Sequence, residues 1–189
     1  MKEFIYFSKN AWTSGNFDDL MKAGRMDIVC NVVIAAFFLS HKRREDVKLH
    51  LVFHGPPNPP VHIEFSSDKE IPFSKKDIGT ILKKMLYKCR ETGKTEVYPG
   101  ATVERKSVQQ LLKELDKEGK KILMLDKKGK LLRDLKDEEL KNAVFLIGDH
   151  DGLPKKEMKR YKNRISLGKE VYFASQTFVI IHHELDLRG

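Results

Sequence analysis

The segment Gly24-Arg25-Met26-Asp27 places a guanidinium and a carboxylate two positions apart at the start of a long apolar run. In that arrangement Arg25 can hold a phosphate and Asp27 can accept a proton. A plainer role also fits, with Asp27 capping a helix beside a surface arginine. Three basic clusters follow: His41-Lys42-Arg43-Arg44, Lys155-Lys156, and Lys159-Arg160-Tyr161-Lys162-Asn163-Arg164. In the last, cations can neutralise phosphates while Tyr161 stacks a base. A solvated helix face explains the same pattern equally well.

Other chemistries lack their residues. No GxGxxG or Walker loop is present, which disfavours a Rossmann dinucleotide site and a P-loop nucleotidase. Ser166, His182 and Asp186 could suggest a hydrolase triad, but no GxSxG elbow supports it. His50, His54 and His62 fall on neighbouring predicted strands. A metal would need further ligands at fixed geometry, and the sequence offers no evident one, so no metal site is expected. Cys30 and Cys89 form no CxxC pair, and two separated cysteines in a core-forming chain suit a reducing compartment.

These residues must be positioned by alternating short strands and helices. Strands are predicted at Glu3 to Phe7, Val47 to His54, Val61 to Phe65, Ile122 to Leu125, Val144 to Ile147 and Ile165 to Leu167. Asp27 to His41 reads as a buried helix capped by Asp27. Ser74, with Asp77 three positions on, opens a helix whose apolar face is Ile78, Ile81, Leu82, Met85 and Leu86. Ser107 and Gln110 make a second capping-box pattern before Val108, Leu111, Leu112 and Leu115. Thr92 to Gly100 reads as loop, Lys127 to Lys130 as a turn, Glu138 to Ala143 as a short helix, and Lys155 to Lys162 as a basic helical segment. Gly55-Pro56-Pro57-Asn58-Pro59-Pro60 is a stiff connector. The span from Gly168 to Asp186 is ambiguous, but Val171, Ala174, Phe178, Ile181 and Leu185 recur at helical spacing, so a helix is expected.

All-apolar strands alternating with helices imply an α/β fold with a mainly parallel sheet covered on both faces. Ligands in such sheets bind at the strand ends. Leu125, Gly148 and Leu167 each close a predicted strand and could line one adenosine-sized pocket, though ordinary βα turns give the same pattern. Phe173, Val179 and Ile180 make the stretch from Val171 to Leu185 apolar on more than one face, which predicts a homodimer.

Length and charge agree with this reading. The 189 residues are 40% hydrophobic, enough for one domain with a real core. Lys and Arg number 36 against 27 Asp and Glu, a net charge of +9 that points to polyanions, nucleic acid first. A merely lysine-rich surface is the alternative. No targeting signal is evident, and the run Ile28 to Leu39 is too short to span a bilayer, so a cytoplasmic protein without a membrane partner is expected.

Several segments together resemble the archaeal tRNA pseudouridine N1-methyltransferases, a branch of the SPOUT superfamily. They are Gly24-Arg25-Met26-Asp27, Ala36 to His41, Gly55 to Val61, Val144 to His150, Arg164 to Leu167, and Ile180-Ile181-His182 with Leu185-Asp186. The resemblance implies a single domain over 1–189, with residues 1–120 on the substrate side. Residues 121–189 would form a deep trefoil knot that holds S-adenosyl-L-methionine. It also implies a homodimer acting on tRNA. By analogy the cofactor pocket takes Leu125, Gly148, Leu167, Gly168, Lys169, Glu170, Val171, Tyr172 and Thr177. The family pattern has a cysteine at position 177, so Thr177 argues against a required thiol there. Arg25, Asp27 and Asn58 become the catalytic candidates. Arg43, Arg44, Lys159, Arg160, Tyr161 and Lys162 become the RNA contacts. A ribosomal pseudouridine, or a catalytically silent RNA-binding role, would use the same scaffold.

Overall fold

The computed structural model describes residues 1–154 and 156–189. Its centre is three strands with almost continuous apolar sequence: β1 (Lys2–Ser8), β2 (Val47–Phe53) and β7 (Ala143–Gly148). β1 lies between β2 and β7 and runs parallel to both. β6 (Lys121–Leu131) and then β8 (Arg164–Ser166) extend the parallel set. On the other side β3 (Val61–Ser66), β5 (Ala101–Glu104) and β4 (Thr95–Tyr98) continue the sheet antiparallel, giving the order β4-β5-β3-β2-β1-β7-β6-β8. The sheet is thus parallel across five strands, with an antiparallel edge. Segments 1–120 and 121–189 share it, because β7 pairs with β1.

Alternation along β1 shows why both faces are covered. Phe4 and Tyr6 point to one core, Ile5 and Phe7 to the other. The first core is closed by α1 (Met26–Phe37), α2 (Ile78–Tyr87) and α5 (Ala174–Asp186), and the second by α3 (Val108–Lys117). Burying each large apolar side chain contributes about 1.5–3 kcal/mol relative to exposure. Phe4, Phe53, Phe65 and Phe178 are fully inaccessible. The predicted capping box on α3 forms, with Gln110 N–H donating to Ser107 Oγ at 3.2 Å and Ser107 N–H to Gln110 Oε1 at 2.8 Å. A short α4 (Asp137–Leu140) overlaps the helix expected over 138–143, starting one residue earlier and ending before Ala143, which belongs to β7.

Other local expectations are corrected. Asp27 does not cap α1: Arg25 occupies the capping position with φ 63°, and Asp27 sits in the first turn. Ser74 does not cap α2, which starts four residues later behind Asp77 without a side-chain cap bond. Thr92 to Gly100 is not all loop, since it contains β4, an edge strand too short to show alternation. β6 does not stop at Asp126. It continues through a register shift to Leu131, because its far half finds a second partner in β8. Residues 156–160 form turns rather than helix, and Lys155 lies outside the described residues. α5 starts at Ala174, leaving 167–173 irregular. Among the described residues, no helix is long and apolar enough to cross a membrane.

Candidate active site at the carboxyl edge of the parallel strands

Because β1, β2, β6, β7 and β8 are parallel, the loops that follow them emerge on one edge of the sheet. The sequence-predicted residues converge there from distant parts of the chain. After β1 the backbone turns through Asn10 and Ala11 and is flanked by two glycines. A Cβ on Gly24 would lie 1.7 Å from Asn10 O, and one on Gly55 would lie 2.3 Å from Asn10 O and Ala11 O. Gly24 also has φ +65°, so glycine is required there on two counts. Backbone bonds from Trp12 N–H to Ala23 O (3.2 Å), Gly55 N–H to Ala11 O (3.1 Å) and Thr13 N–H to Pro56 O (2.8 Å) close the three loops together.

Arg25 and Asp27 project from this junction. Arg25 Nε donates to Asp27 Oδ1 and Nη2 to Asp27 Oδ2, each at 3.0 Å. The two-pronged bond from Arg25 holds the Asp27 carboxyl below the usual aspartate range. Both side chains keep access to solvent, so the pair presents a fixed anion beside a fixed cation. Asn58 is held from two sides: its N–H donates to Thr13 Oγ1 at 2.8 Å, and its carbonyl accepts from the Arg105 guanidinium. Its side chain is left at the surface.

Asp149, beyond the end of β7, ties the centre together. Its Oδ2 accepts from Ser8 Oγ at 3.0 Å and Lys9 N–H at 2.9 Å, and its Oδ1 accepts from Asp151 N–H at 2.9 Å. Ser8 Oγ in turn accepts from Ala11 N–H at 3.0 Å. Tyr6 is 1% exposed, and burial first, then the charges of Asp149 and Asp27, push its hydroxyl pKa well up. Ser8, Tyr6, Arg105 and Asp149 escaped the sequence reading. Only Asp149 had a local signal, lying in the strand-end loop next to Gly148.

The expected cofactor residues occupy the neighbouring part of the edge. Leu125 pairs with Ile165, and Leu167 packs against the first core. Ser166 Oγ accepts from Gly168 N–H and donates to Gly168 O, each at 3.1 Å. Lys169, Glu170, Val171 and Tyr172 lie in an exposed segment outside any helix or strand. Thr177 is buried in the first turn of α5. A Cβ on Gly148 would lie 2.8 Å from the Gly152 carbonyl carbon, so its smallness also serves the 149–152 turn.

Several of the basic-cluster residues are already engaged within the chain. Arg44 makes a two-pronged ion pair with Asp186, at 2.9 and 2.7 Å, and Arg43 donates to Ile71 O at 2.7 Å. Tyr161 is 8% exposed, with its hydroxyl on Asp116 at 3.0 Å and Arg160 over its ring, so no free face remains for stacking a base. Lys159 and Lys162 are exposed.

A family model described as "Putative SAM-dependent RNA methyltransferase" matches residues 1–189. The tRNA (pseudouridine(54)-N(1))-methyltransferase of Methanococcoides burtonii is 33% identical, covering 98% of this chain and 96% of its own length. The enzyme of the same name from Methanocaldococcus jannaschii is 35% identical, with 98% and 97% covered. In fold, the chain is similar to Archaeoglobus fulgidus Nep1, solved bound to S-adenosylhomocysteine. The TM-score is 0.67 at 13% identity, over 98% of this chain and 97% of that one. A match along the whole length means that the chain belongs to this family of SAM-dependent RNA methyltransferases.

Proposed function

We propose that this protein transfers the methyl group of S-adenosylmethionine to N1 of a pseudouridine in the T-loop of tRNA. The observation that carries the reading is the convergence, on one sheet edge, of a fixed Arg25–Asp27 pair and Asn58 with the loops that close β6, β7 and β8. The relatives' activity supports the choice of substrate.

The cofactor fits the chemistry of the second group of loops. The 167–173 segment lies outside any helix or strand beside apolar Leu125, Leu167 and Tyr172, a mixture of backbone polar groups and apolar side chains that suits an adenosine and its thioether chain. Leu125, Gly148, Leu167 to Tyr172 and Thr177 would hold it. When bound, S-adenosylmethionine supplies an electrophilic methyl on a sulfonium.

Pseudouridine is joined to its ribose through carbon, which leaves N1–H free and weakly acidic. Asp27, kept anionic by Arg25, accepts a hydrogen bond from N1–H and draws the proton away as nitrogen attacks. Arg25 balances the negative charge that develops on the uracil oxygens. Asn58, anchored by Thr13 and Arg105, reads the polar edge of the base. A base without that proton would leave the carboxylate unpaired, at a cost of about 1–3 kcal/mol.

The remaining features follow the same reading. β8 pairs with both limbs of the 121–131 segment, Ile165 lying opposite Leu125 and Lys130. Gly129 is packed so closely that a Cβ would lie 2.5 Å from Ile165 backbone. This supports a threaded, knotted carboxyl-terminal part. A groove of about 560 Å³ between α1 and α5, lined by Ile34, Phe38, Tyr172, Val179 and Ile180, supports homodimer formation through these helices. The exposed Lys159 and Lys162, together with Arg43, would contact the tRNA backbone in the cytoplasm.

The test is mass spectrometry of tRNA nucleosides after incubation with isotopically labelled S-adenosylmethionine. A transcript carrying pseudouridine in the T-loop should gain N1-methylpseudouridine, and the same transcript with uridine should not. Methylation of the uridine transcript would overturn the substrate, and no transfer to either would overturn the reaction.

A further inference from the structure

On the α3 face of the sheet, away from the active edge, four strands carry a buried line of ionisable groups. Glu3 comes from β1, His50 from β2, His62 and Glu64 from β3, and Glu104 from β5. The strand register sets His50 opposite Glu64 and His62 opposite Glu104. Glu3 Oε1 lies 3.0 Å from His50 Nε2, His50 Nδ1 lies 2.9 Å from His62 Nε2, and His62 Nδ1 lies 3.0 Å from Glu104 Oε1. The rings are nearly parallel, at 22°. Glu3, His50 and His62 are each at most 3% exposed. Lysines close the ends: Lys120 on Glu3 at 2.5 Å and Lys106 on Glu104 at 2.9 Å, the latter also on Glu114 at 2.6 Å.

Each of the three contacts needs one proton between its heavy atoms. Ionised carboxylates bring none. Burial pushes Glu3 and Glu104 upward, but hydrogen bonds from His50 and Lys120 to the first, and from His62 and Lys106 to the second, outweigh it and hold both at about 2. All three protons must therefore sit on ring nitrogens, and two neutral imidazoles carry only two. We propose that His50 and His62 form a buried proton-binding site that holds one extra proton, and so one positive charge, shared across the nitrogen–nitrogen hydrogen bond at neutral pH.

The surroundings suit a proton better than a metal ion. His50 Nδ1, His62 Nε2 and the Glu64 carboxylate lie within 4.8 Å of one another. Two imidazole nitrogens on one tetrahedral zinc ion stand about 3.3 Å apart, wider than this pair. Glu64, 3.7 Å from His50 Nδ1, is also engaged by Lys94 at 3.3 Å and faces Lys48. A second added proton is resisted: burial, first of the causes, lowers the pKa of His62 to about 4. Below that pH two N–H groups face each other, and after loss of the third proton two lone pairs do. The central bond exists only between those limits.

The site also bears on the active edge, a step that rests on the role proposed for Asn58. His62 follows Pro60 by two positions, and Glu104 immediately precedes Arg105, whose guanidinium holds the Asn58 carbonyl. The proton therefore locks β2 to β3 at the base of the Asn58 loop, next to the His62–Glu104 bond that leads to Arg105, which makes His50 and His62 positioning residues.

Long-range proton–nitrogen correlation of the histidine rings, in the full-length protein at pH 7.5, tests the count. Three protonated nitrogens across His50 and His62 are expected. Two, four, or a spectrum that changes on treatment with a chelator would overturn the proposal. Glu3→Gln keeps an acceptor oxygen but loses its charge, so the third proton should leave at a pH about one unit lower; an unchanged midpoint would contradict the shared charge. Should that variant fail to fold, the wild-type spectrum still decides. The Asn58 backbone amide should titrate with the same midpoint as the rings. An amide that titrates independently would remove the positioning role and leave methyl transfer to T-loop pseudouridine untouched.

Discussion

Along the active edge, the loops around Asp27 meet at backbone distance, whereas the segment from Leu167 to Phe173 carries apolar side chains into solvent. Gly24 and Gly55 have no room for a Cβ, and Asp149 binds three separate donors. Val171 and Phe173, by contrast, are 83% and 79% exposed, and Gly168 has open space around it. The half of the edge proposed to take the substrate is completed by folding, its orientation set before any ligand arrives. On the proposed reading, the cofactor half would be completed by a ligand and a second copy of the chain. Good catalytic geometry on one side and adaptable capture on the other follow from that division.

The contrast breaks most sharply at the glycines. Gly24→Ala should cost about 3–5 kcal/mol, or prevent folding, because strain at positive φ adds to a backbone collision. Gly168→Ala should cost only about 1–2 kcal/mol, since φ +125° is strained but nothing stands in the way. Urea denaturation of both variants measures the difference, and equal costs would erase the distinction.

The exposed half is probed next through association. Val179 is 55% exposed on the α1–α5 groove. Val179→Glu should turn a dimer into a folded monomer at micromolar concentration, as read by sedimentation. A wild-type monomer would show that the groove serves something else.

Within the closed half, Asp149→Asn keeps one acceptor oxygen but turns an amide donor toward Ser8 Oγ and Lys9 N–H, or toward Asp151 N–H. A loss of about 1–3 kcal/mol is expected in thermal or chemical denaturation. No loss would mean that the loops hold together without it.

The smallest effect is pH-dependent. Asp186 at the end of α5 is held far below the ordinary carboxylate range, first by its bond from Arg44 and then by Lys2. Its folded value is depressed, so its contribution is present above the unfolded value near pH 4 and is lost as pH falls through the folded one. Melting temperatures from pH 5 to 2 should fall less in Asp186→Asn than in the wild type. Partial exposure keeps the difference small.

The legible parts of the fold are those where one residue pattern fixes one structure. The apolar runs of β1, β2 and β7 and the Ser107–Gln110 box read directly, since period and capping chemistry are local. The edge strand β4 did not, being too short to show alternation, nor did the far half of β6, whose partner β8 lies far along the chain. At the site, Arg25 and Asp27 were legible by type and spacing, and Asn58 only through the family resemblance. The fixing of Asn58 by Arg105 was not, because the strand register of β5 brings them together. Tyr161 misled for a similar reason: beside cations it reads as a stacking platform, yet its ring fills the core under α3.

Amide hydrogen exchange with and without S-adenosylhomocysteine tests the division of the edge most directly. Ligand should slow exchange strongly across 167–177 and around Leu125. The amides of Ala11, Thr13, Gly55 and Asn58, already hydrogen-bonded, should change little. Protection gained mainly at those four, with 167–177 unaffected, would contradict the account.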